Sequence, residues 1–423
     1  MSSKTVNLTP YPAILNALIV NAPTSQLVCE LIDNAIDARA SIIDIQISSK
    51  NITVTDNGNG MDLNVLNVAS KLGKPIKYDR EKSNIGRYGF GLKMGSWSMG
   101  RRFKIITQKK NNTTYKTTLD LDKALENDNW GTATIKTSKT QIKGGHGTSI
   151  IIDKLNKPIE DISDIRNYLA KIYDRYLSIN TAYREQKTIR VNGKVIDPAD
   201  SGLHLEGDMV LPRRATDQDY EITLHGQRRI ISTRRIIIKP ARHSGQSFRK
   251  GCSIDSQGLY VYRGNRLLFH DPRWLTGRKT GDGHRNYMRL VIYLDASWDS
   301  DIIYEAARRE QGISLSHNFV NALNNSFLKT TIRNMQAEYN AWHSEETKES
   351  IAYDKRQAEK ALGIKIHKAN HASAPPTTKI KLKSTMQFTT DAGVIRTIRT
   401  DKMKWTNCPS CGHRHQIDIT NIQ

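Results

Sequence analysis

A carboxylate and a carboxamide one helical turn apart, Glu30 and Asn34 in the stretch ELIDNAIDA, are the first residues of this chain whose types and spacing could do chemistry. With Asp37 they form a polar stripe on a segment whose other face carries Leu27, Leu31, Ala35 and Ala38, the pattern of an amphipathic helix. A bare acidic helix repels a polyphosphate, so the two are compatible only with a divalent cation between them. Asn34 can then offer a neutral oxygen to Mg²⁺, and Glu30 is left to orient or deprotonate an attacking water. The competing reading is a surface helix with ordinary acidic residues.

A second element, TDNGNGM, ends an alternating run and sets Asp56 at a strand end, with Gly58 and Gly60 permitting a tight turn into Met61. A carboxylate there can accept a hydrogen bond from an exocyclic amine such as N6 of adenine. Taken alone, DNGNG also suits a calcium loop or a plain hairpin, but the later acidic ligands of a calcium loop are missing. The third element is IGRYGFGLKMG, in which Gly86, Gly89 and Gly91 let backbone N–H groups approach phosphate oxygens at the start of a helix. Arg87 and Lys93 add positive charge. It is neither a Walker loop nor a Rossmann loop, and a structural glycine turn would explain it in isolation.

These residues need elements to carry them. Thr24 and Ser25 can cap the helix of Glu30 and Asn34. Ile43, Ile45 and Ile47, then Ile52 and Val54, predict a hairpin that delivers Asp56, and the runs Phe103 to Gln108, Thr114 to Leu119, Thr132 to Lys136 and Thr148 to Ile152 extend that sheet. Ile159 to Tyr176 reads as a helix leading into a second strand-rich region at Thr188 to Val191, Tyr220 to Leu224, Ile236 to Lys239, Leu259 to Tyr262 and Met288 to Leu294. Asn192-Gly193 is a hairpin turn signal. Leu315 to Leu362 is polar and helical, with a seam of Phe319, Leu323, Phe327, Ile332 and Met335 that could pair with another helix. Ala372 to Thr378, containing Pro375-Pro376, reads as a linker.

The three elements in this order, followed by Gly147-Thr148 at the head of a strand, resemble the GHKL superfamily of gyrase-type topoisomerases, heat-shock chaperones, sensor histidine kinases and MutL. The resemblance implies an α+β Bergerat fold, helices on a mixed sheet, binding ATP with Mg²⁺. It implies Glu30 as general base, Asn34 as Mg²⁺ ligand, Asp56 as the adenine-reading carboxylate, and Gly58, Gly60 and Thr148 in the base pocket. Gly86, Arg87, Tyr88, Gly89, Phe90, Gly91, Leu92 and Lys93 match the loop that wraps the phosphates, and Lys71 to Ser83 the mobile lid. A sensor kinase is disfavoured because its phosphoacceptor helix would precede the ATP elements.

GRYGFGLKMGSWSMG is similar to the phosphate loop of MORC-type ATPases, and VYRGNRLL, Val261 to Leu268, resembles a strand-turn of their β-rich transducer domain. That implies an ATP-binding domain over 1–175, a transducer over 176–315, a helical, possible coiled-coil segment over 316–365, and a linker with a basic tail over 366–423. Where the family has a lysine that reaches the γ-phosphate, this chain reads EAARREQGIS, so Arg309, or else Arg308, is the candidate sensor. The resemblance further implies an ATP-induced homodimer acting on DNA as a clamp or compaction factor in defence, silencing or repair, with a nuclease or methyltransferase as a possible partner. A chaperone-like ATPase acting on proteins and a nucleotide-gated scaffold are the alternatives.

Across 423 residues, 64 lysines and arginines against 42 acidic residues give a formal charge of +22, a field that attracts polyanions. Much of it falls at Arg228, Arg229, Arg234, Arg235, Lys239, Arg242, Arg249 and Lys250 and continues through Arg263, Arg266, Arg273, Arg278 and Lys279, with Tyr260, Tyr262 and Trp274 among them. That composition suggests a grip on nucleic-acid backbone without base specificity; a solvated face is the alternative. No run approaches the roughly 20 apolar residues that cross a bilayer, no secretory signal is apparent, and Cys29 and Cys252 stand alone. The expected compartment is the cytoplasm, on the nucleoid or, in a eukaryote, in the nucleus. Cys408, Cys411, His413 and His415 form a CxxCxHxH cluster that could hold Zn²⁺, although the imidazoles crowd the second cysteine; a disordered basic tail is the rival.

Overall fold

The computed structural model describes residues 19, 21–71, 91–126, 133–142, 144–178, 186–199, 201–203, 217–239, 252–273, 286–303 and 314–362, and four short strands beyond them. The chain divides into two compact units, residues 1–238 with 253–335, and residues 239–252 with 336–423.

The first unit opens with helix α1 (Thr24–Asp37), followed by the hairpin β1 (Ile42–Ile47) and β2 (Asn51–Asp56). Ile43, Ile45, Ile52 and Val54 are buried, as their alternation predicts, and the register pairs Ile43 with Asp56. Helices α2 (Leu63–Ser70) and α3 (Gly91–Met99) precede β3 (Gly100–Gln108), β4 (Thr114–Asp120), helix α4 (Leu121–Glu126), β5 (Lys136–Thr137) and β6 (Gly147–Leu155). Helices α5 (Ile162–Ile172) and α6 (Asp174–Leu177) then lead to β7 (Thr188–Val191) and β8 (Lys194–Val195). The eight strands form one mixed sheet in the order β5-β4-β3-β6-β2-β1-β7-β8, in which only β1 and β7 run parallel.

Leu27, Leu31 and Ala35 of α1, Trp97 of α3, and Ile165 and Leu169 of α5 share one core with the sheet's inner face. Helices on a mixed sheet are the α+β architecture expected. Two local expectations differ. Thr188 to Val191, assigned to the second strand-rich region, instead pairs with β1 and closes the first sheet; the Asn192-Gly193 turn, with φ of 50° and 79°, does join β7 to β8. The first turn of α1 is not capped by its own side chains: Thr24 and Ser25 donate their backbone N–H groups to Glu160, at 2.6 and 3.3 Å. A carboxylate 136 residues away thus satisfies the orphan donors.

A five-stranded sheet follows in the order β12-β11-β13-β10-β9, built from β9 (Asp217–Leu224), β10 (Gln227–Ile237), β11 (Gly258–Arg263), β12 (Arg266–Asp271) and β13 (Met288–Leu294). A small pair, β14 (Ile302–Ile303) and β15 (Ser314–Leu315), precedes helix α7 (His317–Leu323), one π turn and the long helix α8 (Lys329–Leu362). The seam expected to meet another helix meets this sheet region instead. Phe327 stacks on Tyr220 with ring centroids 4.0 Å apart, and Phe319 packs on Trp298 at 5.0 Å.

The second unit contains α8 from Gln336 onward and two hairpins, Thr385–Thr389 with Ile395–Arg399 and Met403–Asn407 with Arg414–Asp418. Among the described residues no helix is long and apolar enough to cross a membrane.

Candidate ATP site

Glu30 lies half-buried on α1, against the first two turns of α3. A Cβ on Gly91 would stand 2.5 Å from Glu30 Oε2, and one on Gly95 would stand 3.1 Å from Glu30 Cβ. The glycines at both positions therefore let the two helices close around this carboxylate. Burial raises its pKa above the usual carboxylate range, the nearby Asp33 raises it further, and Arg266 works against both. A carboxyl so held accepts a proton more readily than an exposed glutamate.

One turn on, Asn34 is exposed and donates from its amide nitrogen to the Glu30 carbonyl at 2.6 Å. That bond leaves its side-chain oxygen as the outward acceptor, a hard oxygen donor of the kind Mg²⁺ takes. Asp37 is partly exposed on the next turn.

The other end of the site is set by strand register. Antiparallel pairing of β2 with β6, and of β6 with β3, aligns Asp56 with Thr148 and Thr148 with Thr107. Asp56 is buried and accepts from the Gly58 N–H at 2.8 Å. Burial raises its pKa to about 6, against the pull of backbone hydrogen bonds from Gly58 and Thr148 and of His146. The turn is docked on the end of α1: Asn59 N–H donates to the Ala38 carbonyl at 2.8 Å, and a Cβ on Gly58 would stand 2.7 Å from that same oxygen. Gly60 has φ of 65°, and a Cβ there would fall 1.9 Å from the Gln108 carbonyl oxygen, so only glycine fits.

Thr107 and His146 were not among the expected site residues. The Thr107 hydroxyl accepts from Met61 N–H at 2.8 Å, donates to the Gly147 carbonyl at 3.1 Å and lies 3.1 Å from the Thr148 hydroxyl. His146 Nδ1 donates to the Gly58 carbonyl at 2.8 Å. The only sequence signal for Thr107 was a hydroxyl on the inward side of an alternating run, after Phe103 and Ile105; His146 carried none.

Of the phosphate loop, Gly91, Leu92 and Lys93 belong to α3, whereas Gly86, Arg87, Tyr88, Gly89 and Phe90 lie outside the described residues. Lys93 is buried, and its ammonium donates to the Ala69 and Lys71 carbonyls at 2.7 and 2.8 Å. Burial lowers its pKa to about 8. Instead of facing open solvent, it ties α3 to the C-terminal end of α2, where the expected lid begins. Most of that lid, residues 72–83, lies outside the described residues, as do Arg308 and Arg309. So do Cys408, Cys411 and His413, while His415 pairs with Thr406 in the last hairpin. No group of three or more His, Cys, Asp or Glu suited to a metal occurs among the described residues.

The basic cluster divides into buried and exposed members. Arg229 pairs with the buried Asp301 at 2.9 Å and stacks over Trp298, Arg263 pairs with Asp299 at 3.0 Å, and Arg266 with Asp33 at 2.7 Å. These three side chains neutralise internal carboxylates and cannot present a surface to nucleic acid. Arg228 is well exposed, beside Glu221.

A carboxylate and an amide oxygen on one helix, with a buried aspartate among hydroxyls and glycines at the far end, suit an adenine nucleotide. Residues 23–148 match the family described as histidine kinase-, DNA gyrase B-, and HSP90-like ATPase. This chain carries a GHKL-type ATPase domain, with the β-rich region after it. It is MORC-like: the mouse ATPase MORC2B is 46% identical over 90 residues, 19% of this chain and 9% of that protein. Human ATPase MORC2 is 37% identical over 92 residues, 20% of this chain and 9% of that protein. The match thus spans only 9% of the length of these curated relatives.

Proposed function

We propose that the protein hydrolyses ATP with Mg²⁺, that nucleotide binding drives its dimerisation, and that the dimer acts on DNA as a clamp or compaction factor. The observation that carries the reading is the placement of Glu30 and Asn34 one turn apart on α1, with the buried Asp56 docked at the end of the same helix. Asp56 accepts from adenine N6, with Gly58, Gly60, Met61 and Thr148 shaping the pocket. Asn34, with Asp37 near it, offers oxygen to Mg²⁺, which when bound neutralises charge on the triphosphate. Glu30 holds the water and takes its proton. Gly86 to Lys93 wrap the phosphates, and Arg309, or Arg308 beside it, senses the γ-phosphate.

Dimerisation by the γ-phosphate would make ATP a timed clasp. Light scattering with a non-hydrolysable ATP analogue should show the mass doubling, and a mass unchanged at saturating analogue would overturn the clasp. DNA contact rests on the overall charge and on residues such as Arg228, not on Arg229, Arg263 or Arg266.

The Asp56 reading makes a pH prediction of definite sign. With its folded pKa raised above the unfolded value, Asp56 contributes stability below about pH 4 that is lost as pH rises through about 6. Nucleotide binding runs the other way, because an amine donor needs the ionised carboxylate. ATP affinity should fall by up to about tenfold per unit below pH 6. Isothermal titration at pH 5 and 7 checks this, and an Asp56→Asn protein that keeps the same pH dependence would remove Asp56 as its source.

A further inference from the structure

Arg266 connects the five-stranded sheet to the ATP helix. Arg266, the first residue of β12, lies beside Asp33 of α1, its Nε donating to Oδ1 at 2.9 Å and standing 2.7 Å from Oδ2. The two side chains are only 8% and 9% exposed. Tyr173 donates its hydroxyl to the same Oδ1 at 2.7 Å and lies 3.1 Å from the Cys29 carbonyl. Asp33 is thus held from the second sheet and from the segment after α5 at once. On a helix surface residues three apart are neighbours, so a shift or roll of α1 at Asp33 carries Glu30 with it.

We propose that Arg266 is a positioning residue for Glu30: by gripping Asp33 from the second sheet it sets the roll of α1, and hence where the Glu30 carboxylate stands over the nucleotide. This rests on the reading of Glu30 as the base. Gly91 and Gly95 of α3 press on Glu30 from one side, and the Asp33–Arg266 pair anchors the same stretch of helix from another. An ion pair this buried is weak as a source of stability, because desolvation offsets its attraction, but an Nε standing 2.9 and 2.7 Å from the two Asp33 oxygens fixes where that carboxylate sits. Displacements of about 1 Å at a reacting group are enough to lower a rate by about 100-fold.

The rest of the junction supplies a comparator. The Tyr262 hydroxyl donates to both oxygens of the buried Asp174, at 2.9 and 2.8 Å, and the Arg175 guanidinium stacks on Tyr262 and Tyr293 at 3.8 and 4.6 Å. These contacts join the second sheet to α6.

The test compares single-turnover ATP hydrolysis, ATP dissociation constant and melting temperature in the 423-residue chain and its variants. Arg266→Met should slow hydrolysis by about tenfold or more with ATP affinity changed by less than about threefold, and Arg266→Lys should recover part of the rate. Tyr262→Phe should lower the melting temperature and keep the rate. If Arg266→Met does not fold, the double variant Arg266→Met with Asp33→Leu, which leaves no lone buried charge, should show the same split. Wild-type hydrolysis in these Arg266 variants, a matched loss of affinity and rate, or an equal rate loss in Tyr262→Phe would overturn the proposal. A Glu30→Gln protein that still hydrolyses ATP would instead remove the base assignment beneath it.

Discussion

Replacing Glu30 with glutamine is expected to slow single-turnover ATP hydrolysis by about 10²- to 10⁴-fold while leaving ATP affinity within a few-fold of wild type. Glutamine keeps the length and most of the volume that Gly91 and Gly95 accommodate, so the packing of α1 on α3 should survive. What it loses is a group able to take a proton. The environment favours that role: burial and Asp33 push the carboxyl pKa upward while Arg266 restrains it, leaving a stronger base than an exposed glutamate. Asp56, the carboxylate proposed to read adenine, sits at the far end of α1 and should be untouched, so the rate is expected to fall without the affinity. Unchanged hydrolysis in the Glu30→Gln protein would show that another group activates the water.

A second large effect is expected at Gly147, through the backbone. Its φ is 122°, and an added Cβ would fall 2.0 Å from the Asp56 carbonyl oxygen and 3.0 Å from the Asn57 Cα. No rotamer relieves a clash with main chain, so β2 and β6 would have to part where Asp56 pairs with Thr148. Gly147→Ala should therefore destabilise the protein by about 3–5 kcal/mol and abolish measurable ATP binding. Gly144 and Gly145 are the controls, with φ of 89° and 78° but nothing within 4 Å of an added Cβ. Alanine there should cost about 1 kcal/mol and leave affinity intact. Chemical denaturation and nucleotide titration of the three variants read both effects, and normal ATP binding by Gly147→Ala would mean that the base pocket is not built on this strand pairing.

Much of this was legible beforehand for a simple reason. Glu30 and Asn34 are close because helical geometry makes residues four apart neighbours, and Asp56 ends β2 because the alternation Ile52, Val54, Asp56 runs straight to it. The paired glycines Gly58 and Gly60 announce a turn for the same local reason. The seam from Phe319 to Met335 was also visible as apolar, and all five of its residues are buried. Its partner was not visible, since a hydrophobic stripe declares only that something covers it. Charge misled in the same way, because Arg229, Arg263 and Arg266 read as surface although each is largely buried against a carboxylate.

By itself, then, the sequence determined what is local: the helix that carries Glu30 and Asn34, the strand that ends in Asp56, and the glycines without which neither could approach its neighbours. Only the tertiary structure decided what depends on residues distant in the chain. Glu160 caps α1, Thr107 meets the Thr148 hydroxyl on the neighbouring strand, β7 joins the first sheet and Arg266 holds Asp33. Helical and strand periodicities repeat within a few residues and can be read from spacing. A hydrogen bond or ion pair between residues more than a hundred positions apart leaves no spacing to read, and it exists only when the whole core has closed.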